Sequence, residues 1–80
     1  MDLQGQYVPR PPNDFLSRQE KFTWRGESRW RNTAGNRIYT YDQLHGHVEV
    51  YNRRGRHLGV LDVMTGEGIG DAVKGRRIDV

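Results

Sequence analysis

Between positions 39 and 49 the chain runs Tyr39, Thr40, Tyr41, Asp42, Gln43, Leu44, His45, Gly46, His47, Val48, Glu49. Two carboxylates, two imidazoles and two tyrosines crowd into eleven residues. Asp, Glu and His seldom build cores, whereas they do move protons and hold metals. Two chemistries suit the spacing. His45, His47 and Glu49 stand at i, i+2 and i+4, one face of a strand, and a His-x-His pair can hold a metal. Zinc takes three or four protein ligands, though, and the only other imidazole is His57. The second chemistry is attack of an RNA 2′-hydroxyl on the adjacent phosphorus. It needs a base for the hydroxyl, an acid for the leaving 5′-oxygen and a cation for the developing charge. Glu49 suits the base, a histidine the acid and an arginine the cation. In an ideal strand positions 45 and 49 lie ~13 Å apart and positions 47 and 49 ~6.6 Å apart. Either the chain bends at Gly46 and brings His45 inward, or His47 is the acid.

The elements that must position these groups read as strands. Arg37 to Tyr41 is rich in β-formers. His47 to Asn52 alternates, with His47, Glu49 and Tyr51 on one face and Val48 and Val50 on the other. Asn52-Arg53-Arg54-Gly55 is a turn, Arg56 to Asp62 the return strand, and Asp62 to Gly66 a further turn. Glu67 to Gly75 reads as a weak strand or loop, and Arg76 to Val80 as a closing edge strand. Upstream, Asp14 to Phe22 predicts a short helix capped by Asn13 or Asp14, with Phe15, Leu16 and Phe22 as contacts. Trp24 and Trp30 follow as core or lid aromatics. Residues 1–13, with Pro9, Pro11 and Pro12, predict an extended arm or linker ahead of a single domain at 14–80. The fold class is mainly β (α+β): a small antiparallel, meander-like sheet with one short N-terminal helix.

The 80 residues bound this to one domain with a thin core. There is no Cys to staple it, no apolar run long enough to span a bilayer, and no signal-peptide pattern at the start. Net charge is +3, and eleven of the thirteen cations are Arg. Arg forks suit phosphate and stack on bases, so the bias points to RNA or another anion. Tyr39, Tyr41 and Tyr51 are candidate base-stacking residues, and Arg53, Arg54 and Arg77 candidate phosphate contacts.

The second half resembles the cytotoxic domain of ribosome-inactivating ribonuclease bacteriocins, the cloacin and ribosomal-RNase colicin type. The resemblance runs from about Arg29 to Val80. It rests on Arg29-Trp30, then Gly35, Ile38, Tyr39, Asp42, His45, Gly46 and Glu49, then Tyr51, then Gly55, His57, Leu58, Gly59, Asp62, Thr65 and Gly66, in order and spacing. It implies a small, strongly twisted antiparallel sheet with a short N-terminal helix. It further implies a bacterial toxin, an endoribonuclease that cuts small-subunit (16S) ribosomal RNA in the decoding centre and halts translation.

By the same resemblance the reaction uses no metal or other cofactor. The family's aspartate, histidine and glutamate fall on Asp42, His45 and Glu49, and its arginine on Arg76, with Arg77 one register away. Tyr51 matches a family tyrosine, and His57 a family histidine grouped here with the RNA contacts. His47 departs from the family, which carries a carboxylate there, so His47 joins the catalytic candidates. The chain is also less Lys-rich than the colicin domains. Such domains end contact-dependent inhibition and other polymorphic toxins. The implied partners are the ribosome and an acidic immunity protein, and the implied site of action is the cytoplasm of a target cell that the producing bacterium's toxin enters. Two other readings remain: a non-enzymatic RNA- or ribosome-binding β-module, and a small metal-binding domain built on His45 and His47.

Overall fold

A computed structural model of the protein describes residues 7–80. Six strands follow one another in a single antiparallel meander: β1 Glu20–Trp24, β2 Glu27–Arg31, β3 Arg37–Asp42, β4 His47–Asn52, β5 His57–Asp62 and β6 Gly68–Asp71. The two strands anticipated around the polar run are there, and β4 has the anticipated bounds. Two more precede them. Lys21, Phe22, Thr23 and Trp24 pair with Trp30, Arg29, Ser28 and Glu27. Between them Arg25 and Gly26 both have positive φ (48° and 81°), the twist of a two-residue hairpin turn.

The anticipated helix over 14–22 is only a single 3₁₀ turn, Leu16–Arg18. The Asp14 carboxylate accepts the Ser17 N–H at 2.9 Å, which starts the turn as an N-cap would. Gln19 is already extended, and the β-forming run after it is claimed by β2. Of the anticipated N-terminal arm, residues 1–6 lie outside the described residues. Val8 lies along the β3–β4 turn, its N–H donating to Gln43 O at 2.7 Å and its carbonyl accepting from the Tyr41 hydroxyl.

The core lies on one face. Leu16, Trp30, Tyr39, Val48 and Val50 form it, with Phe15, Tyr41, Leu58, Leu61 and Val63 packed against it. The 3₁₀ segment is the cover on this face. Phe15 N–H donates to Val63 O, and the Phe15 ring meets Tyr39 edge-on at 5.1 Å. Leu16 is fully buried, so Leu16→Ala removes ~2–5 kcal/mol of stability. The buried Asp14 is held by a two-pronged contact from Arg10 at 2.8 and 3.0 Å.

The opposite face carries the polar residues and has a narrower cover. After β6 the chain returns across it: His57 N–H donates to Arg76 O, Ile78 N–H to Gly55 O, and the Arg29 guanidinium to Asp79 O at 2.6 Å. The anticipated closing strand is therefore an isolated bridge, Arg56 with Arg77, and the short β6 takes the edge instead. The reason is local. Gly55 has no side chain, so the Ile78 carbonyl lies where a Cβ would otherwise stand, and the tail is drawn over the sheet.

Candidate active site

In an antiparallel sheet, residues directly opposite one another share a face. On the open face the register makes three rows: Asp42, His47 and Asp62; then Thr40, Glu49, Val60 and Gly70; then Ile38, Tyr51 and His57. Rows lie ~6.6 Å apart along the strands. A bulge between β4 and β5 at Val50/Tyr51 lets His57 stand on this face opposite Tyr51 while Leu58 turns to the core.

Glu49 is the centre of the first cluster. His57 Nε2 lies 2.6 Å from its Oε1, and the Arg76 guanidinium 3.2 Å from the same oxygen. The His57 side chain is wholly buried, the Glu49 side chain 13% exposed and Arg76 about half exposed. Val73 N–H donates to His57 Nδ1 at 2.9 Å. Nδ1 is thereby an acceptor, so the ring proton sits on Nε2 and is donated to Glu49. The Tyr51 ring meets the imidazole edge-on at 5.3 Å and closes it in. Burial pushes the Tyr51 hydroxyl above its ordinary value, more than the bond to Thr40 lowers it, and it stays neutral at physiological pH.

Asp42, His45 and His47 make the second cluster, at the end of the sheet. Asp42 Oδ1 accepts the Leu44 and His45 backbone N–H groups at 3.0 and 3.3 Å, and its Oδ2 lies 2.7 Å from His45 Nδ1. Burial pushes the Asp42 carboxyl up, but the His45 ring and these two N–H groups outweigh it and hold it below its ordinary value. Gly46 takes φ 73°, and its N–H donates back to Asp42 O at 2.7 Å. The chain turns at Gly46 and leaves the His45 side chain largely exposed, with Asp42 as its hydrogen-bond partner. The bend sets the His45 ring nearly parallel to His47, with centroids 6.3 Å apart and planes 22° apart. The two imidazoles form one unit at the end of the strand that carries Glu49.

The remaining site candidates divide. Tyr39 is buried on the core face against Phe15, so it is a packing residue on the side away from Glu49. Tyr41 also belongs to the core side, its hydroxyl tied to Val8 O. Tyr51 is buried beneath the tail and offers no free ring face. His57 has no exposed surface for an RNA contact and is instead the partner of Glu49. Arg53, Arg54 and Arg77 are exposed at the β4–β5 end, where Asn52, Arg54, Arg56 and Arg77 line one shallow concavity. Among the described residues no three His, Asp or Glu side chains are grouped as metal ligands. His45 and His47 belong to one cluster, and Glu49 has its own partners.

Sequence reasoning missed the pairing of His57 with Glu49. The signal for it was the hairpin count: a turn over residues 53–56 brings 57 back opposite 51, diagonal to 49. The contribution of Val73 N–H has no sequence signal, because any residue except Pro supplies that donor.

Comparison with known proteins gives one family. The family model named Cytotoxic, that of the cloacin- and colicin-type cytotoxic ribonuclease domain, matches residues 18–79. The matched span holds all six strands and both clusters. No curated protein matches the chain.

Proposed function

Because the chain belongs to the Cytotoxic family of cloacin- and colicin-type ribonuclease domains, we propose that it is a bacterial toxin that cleaves small-subunit ribosomal RNA in the decoding centre. The observation that carries this reading is the state of Glu49: a carboxylate on the open face, with one oxygen held by a neutral imidazole and a guanidinium. Among the described residues Glu49 Oε2 has no hydrogen-bond partner, which leaves it as the acceptor for a substrate proton.

The chemistry is transesterification without a metal. Glu49 takes the proton of a 2′-hydroxyl as its oxygen bonds to the adjacent phosphorus. The bond from phosphorus to the 5′-oxygen breaks, and a histidine of the His45–His47 pair gives that oxygen its proton. The products are a 2′,3′-cyclic phosphate and a free 5′-hydroxyl. Arg76, within reach of Glu49 and half exposed, faces the charge that builds on the phosphoryl oxygens. His57 takes no part in bond making; it fixes the Glu49 carboxylate. Asp42 orients His45 through Nδ1, so His45 Nε2 points outward as the donor when the ring is protonated.

A producing cell needs protection from such an enzyme. The net charge of +3 and the exposed arginines favour an acidic immunity protein captured by electrostatic steering. Delivery of the domain into the cytoplasm of a competing bacterium follows from the same reading.

The test is incubation with intact ribosomes, followed by gel analysis of the small-subunit RNA. The wild-type domain releases one fragment with a cyclic-phosphate end. Glu49→Gln folds normally and loses ~10²–10⁴-fold in rate, the usual worth of a proton-transfer group. Intact RNA with the wild type leaves an RNA-binding module, and wild-type rates in Glu49→Gln remove Glu49 as base.

A further inference from the structure

On the same open face, past the returning tail from Glu49, lies a second concavity of about 280 Å³. Its walls are Phe22, Trp24, Ile38 and Val80, and its cations are Arg29, Arg31 and Arg53. The register explains why they meet. Phe22 is opposite Arg29, and Arg31 opposite Ile38, so these four share the face that carries Tyr51 and Glu49.

The three guanidinium groups differ. Arg31 stands over the Phe22 ring at 4.1 Å and is paired with Glu20 at 3.0 Å. Arg29 stands over Trp24 at 4.1 Å, is almost wholly buried, and donates to Asp79 O. Its Nε is buried without a hydrogen-bond acceptor, the nearest carboxylate being Glu27 at 3.6 Å. Arg53, exposed on the β4–β5 turn, has no carboxylate partner among the described residues. The concavity thus combines the half-buried Phe22, Trp24 and Ile38 and the exposed Val80 with one free cation at the rim and one underserved cation at the base. An apolar wall with a few placed polar groups is the usual character of a small-ligand site, and this volume falls just below the usual range of roughly 300–1,000 Å³, room for a single small group. The Arg31 guanidinium, which lies over the Phe22 ring and is partly exposed, adds a flat cationic surface on which a base can stack.

We infer that this concavity binds one unpaired nucleotide of the RNA substrate, its base on the Arg31 guanidinium plane and the Ile38 side chain beside the edge of Trp24, and its phosphate on Arg53. The inference rests on the ribonuclease reading for its biological meaning, but the pocket is testable without cleavage. It places a substrate-holding site two strands from Glu49, since Ile38 on β3 separates Arg31 on β2 from Tyr51 on β4. A nucleotide held there by contacts made equally in ground and transition states lowers KM and leaves the chemical step alone.

The two tryptophans give a built-in control. Trp24 lines the concavity, whereas Trp30 is buried on the opposite face. The ¹⁵N-labelled domain is titrated with adenosine 5′-monophosphate, adenosine and inorganic phosphate while both indole N–H resonances are followed. The expected result is that the monophosphate moves the Trp24 signal and not the Trp30 signal, and binds more tightly than either fragment. Arg53→Ala, a change on an exposed turn, weakens the monophosphate by about tenfold and raises KM for ribosome cleavage by a similar factor without lowering kcat.

A Trp24 signal that ignores the monophosphate overturns the pocket, as does an Arg53→Ala titration that matches wild type. Equal response to inorganic phosphate and monophosphate also overturns it, because then no base is held. Tighter binding of an oligoglutamate peptide than of the monophosphate overturns it in favour of a protein-docking surface. Failure of the two readings is separable: nucleotide binding without ribosome cleavage sinks the ribonuclease assignment alone, and cleavage with a silent Trp24 sinks the pocket alone.

Discussion

Two turns at the same end of the sheet share one hydrogen-bond frame and differ in what the third residue after the aspartate offers it. In the β3–β4 turn Asp42 O accepts Gly46 N–H at 2.7 Å, and Asp42 Oδ1 accepts the Leu44 and His45 N–H groups. In the β5–β6 turn Asp62 O accepts Gly66 N–H at 2.9 Å, and Asp62 Oδ2 accepts the Met64 and Thr65 N–H groups, each at 2.9 Å. Both turns close on a Gly at positive φ, 73° and 78°. Both aspartates also hold the side chain three residues on: His45 Nδ1 at 2.7 Å in one turn, Thr65 Oγ1 at 3.1 Å in the other. Asp42 therefore has an ordinary turn-building role that Asp62 duplicates. What Asp62 does not duplicate is a carboxylate oxygen spent on an imidazole. The comparison separates structure from chemistry within a single residue: Oδ1 of Asp42 makes the turn, and Oδ2 makes the candidate acid.

The largest effect expected from this comparison follows from making the first turn a copy of the second. His45→Thr keeps a hydroxyl for Asp42 Oδ2 and keeps every backbone bond of the turn, so stability changes little. Ribosome cleavage falls ~10²–10⁴-fold if His45 is the proton donor. The check is the cleavage rate beside a urea unfolding curve, with His47→Ala run in parallel. A fully active His45→Thr with a crippled His47→Ala gives the acid role to His47 and breaks the functional half of the comparison.

Much of this was legible in the chain, for physical reasons that differ by residue. β4 was readable because Val48 and Val50 alternate with His47, Glu49 and Tyr51, and burial enforces that period. The turns were readable because Asp or Asn followed closely by Gly closes a loop through its own side chain; Asn52 and Gly55 repeat the device at the other end. β1 was not readable, because Asp14 mimics a helix cap and Leu16 and Phe22 mimic a helical face. Only pairing with β2 decides against the helix. Within the candidate site, Asp42, His45, Glu49 and Arg76 were legible by type and family spacing. The grouping was not. That His57 belongs to Glu49, and that His45 lies on His47, depends on a bulge and on a left-handed glycine. Tyr39 and Tyr51, candidates for base stacking, are buried; an aromatic residue reads the same in sequence whether its ring faces water or the core.

The two closing glycines sharpen the structural half. Alanine at either position is strained by positive φ, at ~1–2 kcal/mol. At Gly46 the added Cβ meets Val8 Cγ1 at 3.0 Å, on the exposed arm, which can shift. At Gly66 it overlaps the Phe15 ring, which is fixed between Tyr39 and the Val63 backbone. Gly66→Ala should therefore cost about 2–4 kcal/mol and Gly46→Ala about 1–2 kcal/mol, as overpacking adds to strain only where the neighbour is rigid. Urea midpoints of the two variants check the order. Equal midpoints would mean that the Phe15 cover moves aside freely.

A smaller effect separates the aspartates. Asp42→Asn and Asp62→Asn each keep one carbonyl oxygen to build the turn but lose the stabilised carboxylate, so both should unfold somewhat below the wild-type midpoint at neutral pH, by similar amounts. Only Asp42→Asn loses the acceptor for His45 Nδ1, and its cleavage rate should drop by about ten- to a hundredfold, the worth of one charge-assisted hydrogen bond. Asp62→Asn should cleave normally. A matched loss in both variants would show that the turn, not the imidazole, carries the effect.

The smallest effect is in acid. Burial raises the Asp42 carboxyl, but the His45 ring and the two backbone N–H groups pull it below its ordinary value. The Thr65 and then the Met64 backbone N–H groups lower that of Asp62. A carboxyl lowered by folding adds stability that is fully present above the unfolded value of ~3.9 and is lost as pH falls through the lower folded value. Wild type should therefore lose stability on acidification below about pH 4, and each Asp→Asn variant should lose less of it over the same window. Urea unfolding at a series of acid pH values reads this as a flatter acid limb. The His45 ring is among the groups that lower the Asp42 carboxyl, so its bond to Oδ2 stabilises the fold as well as aiming the imidazole. An Asp42→Asn acid limb as steep as that of wild type would show that neither the bond to His45 nor the turn draws on the carboxylate's charge.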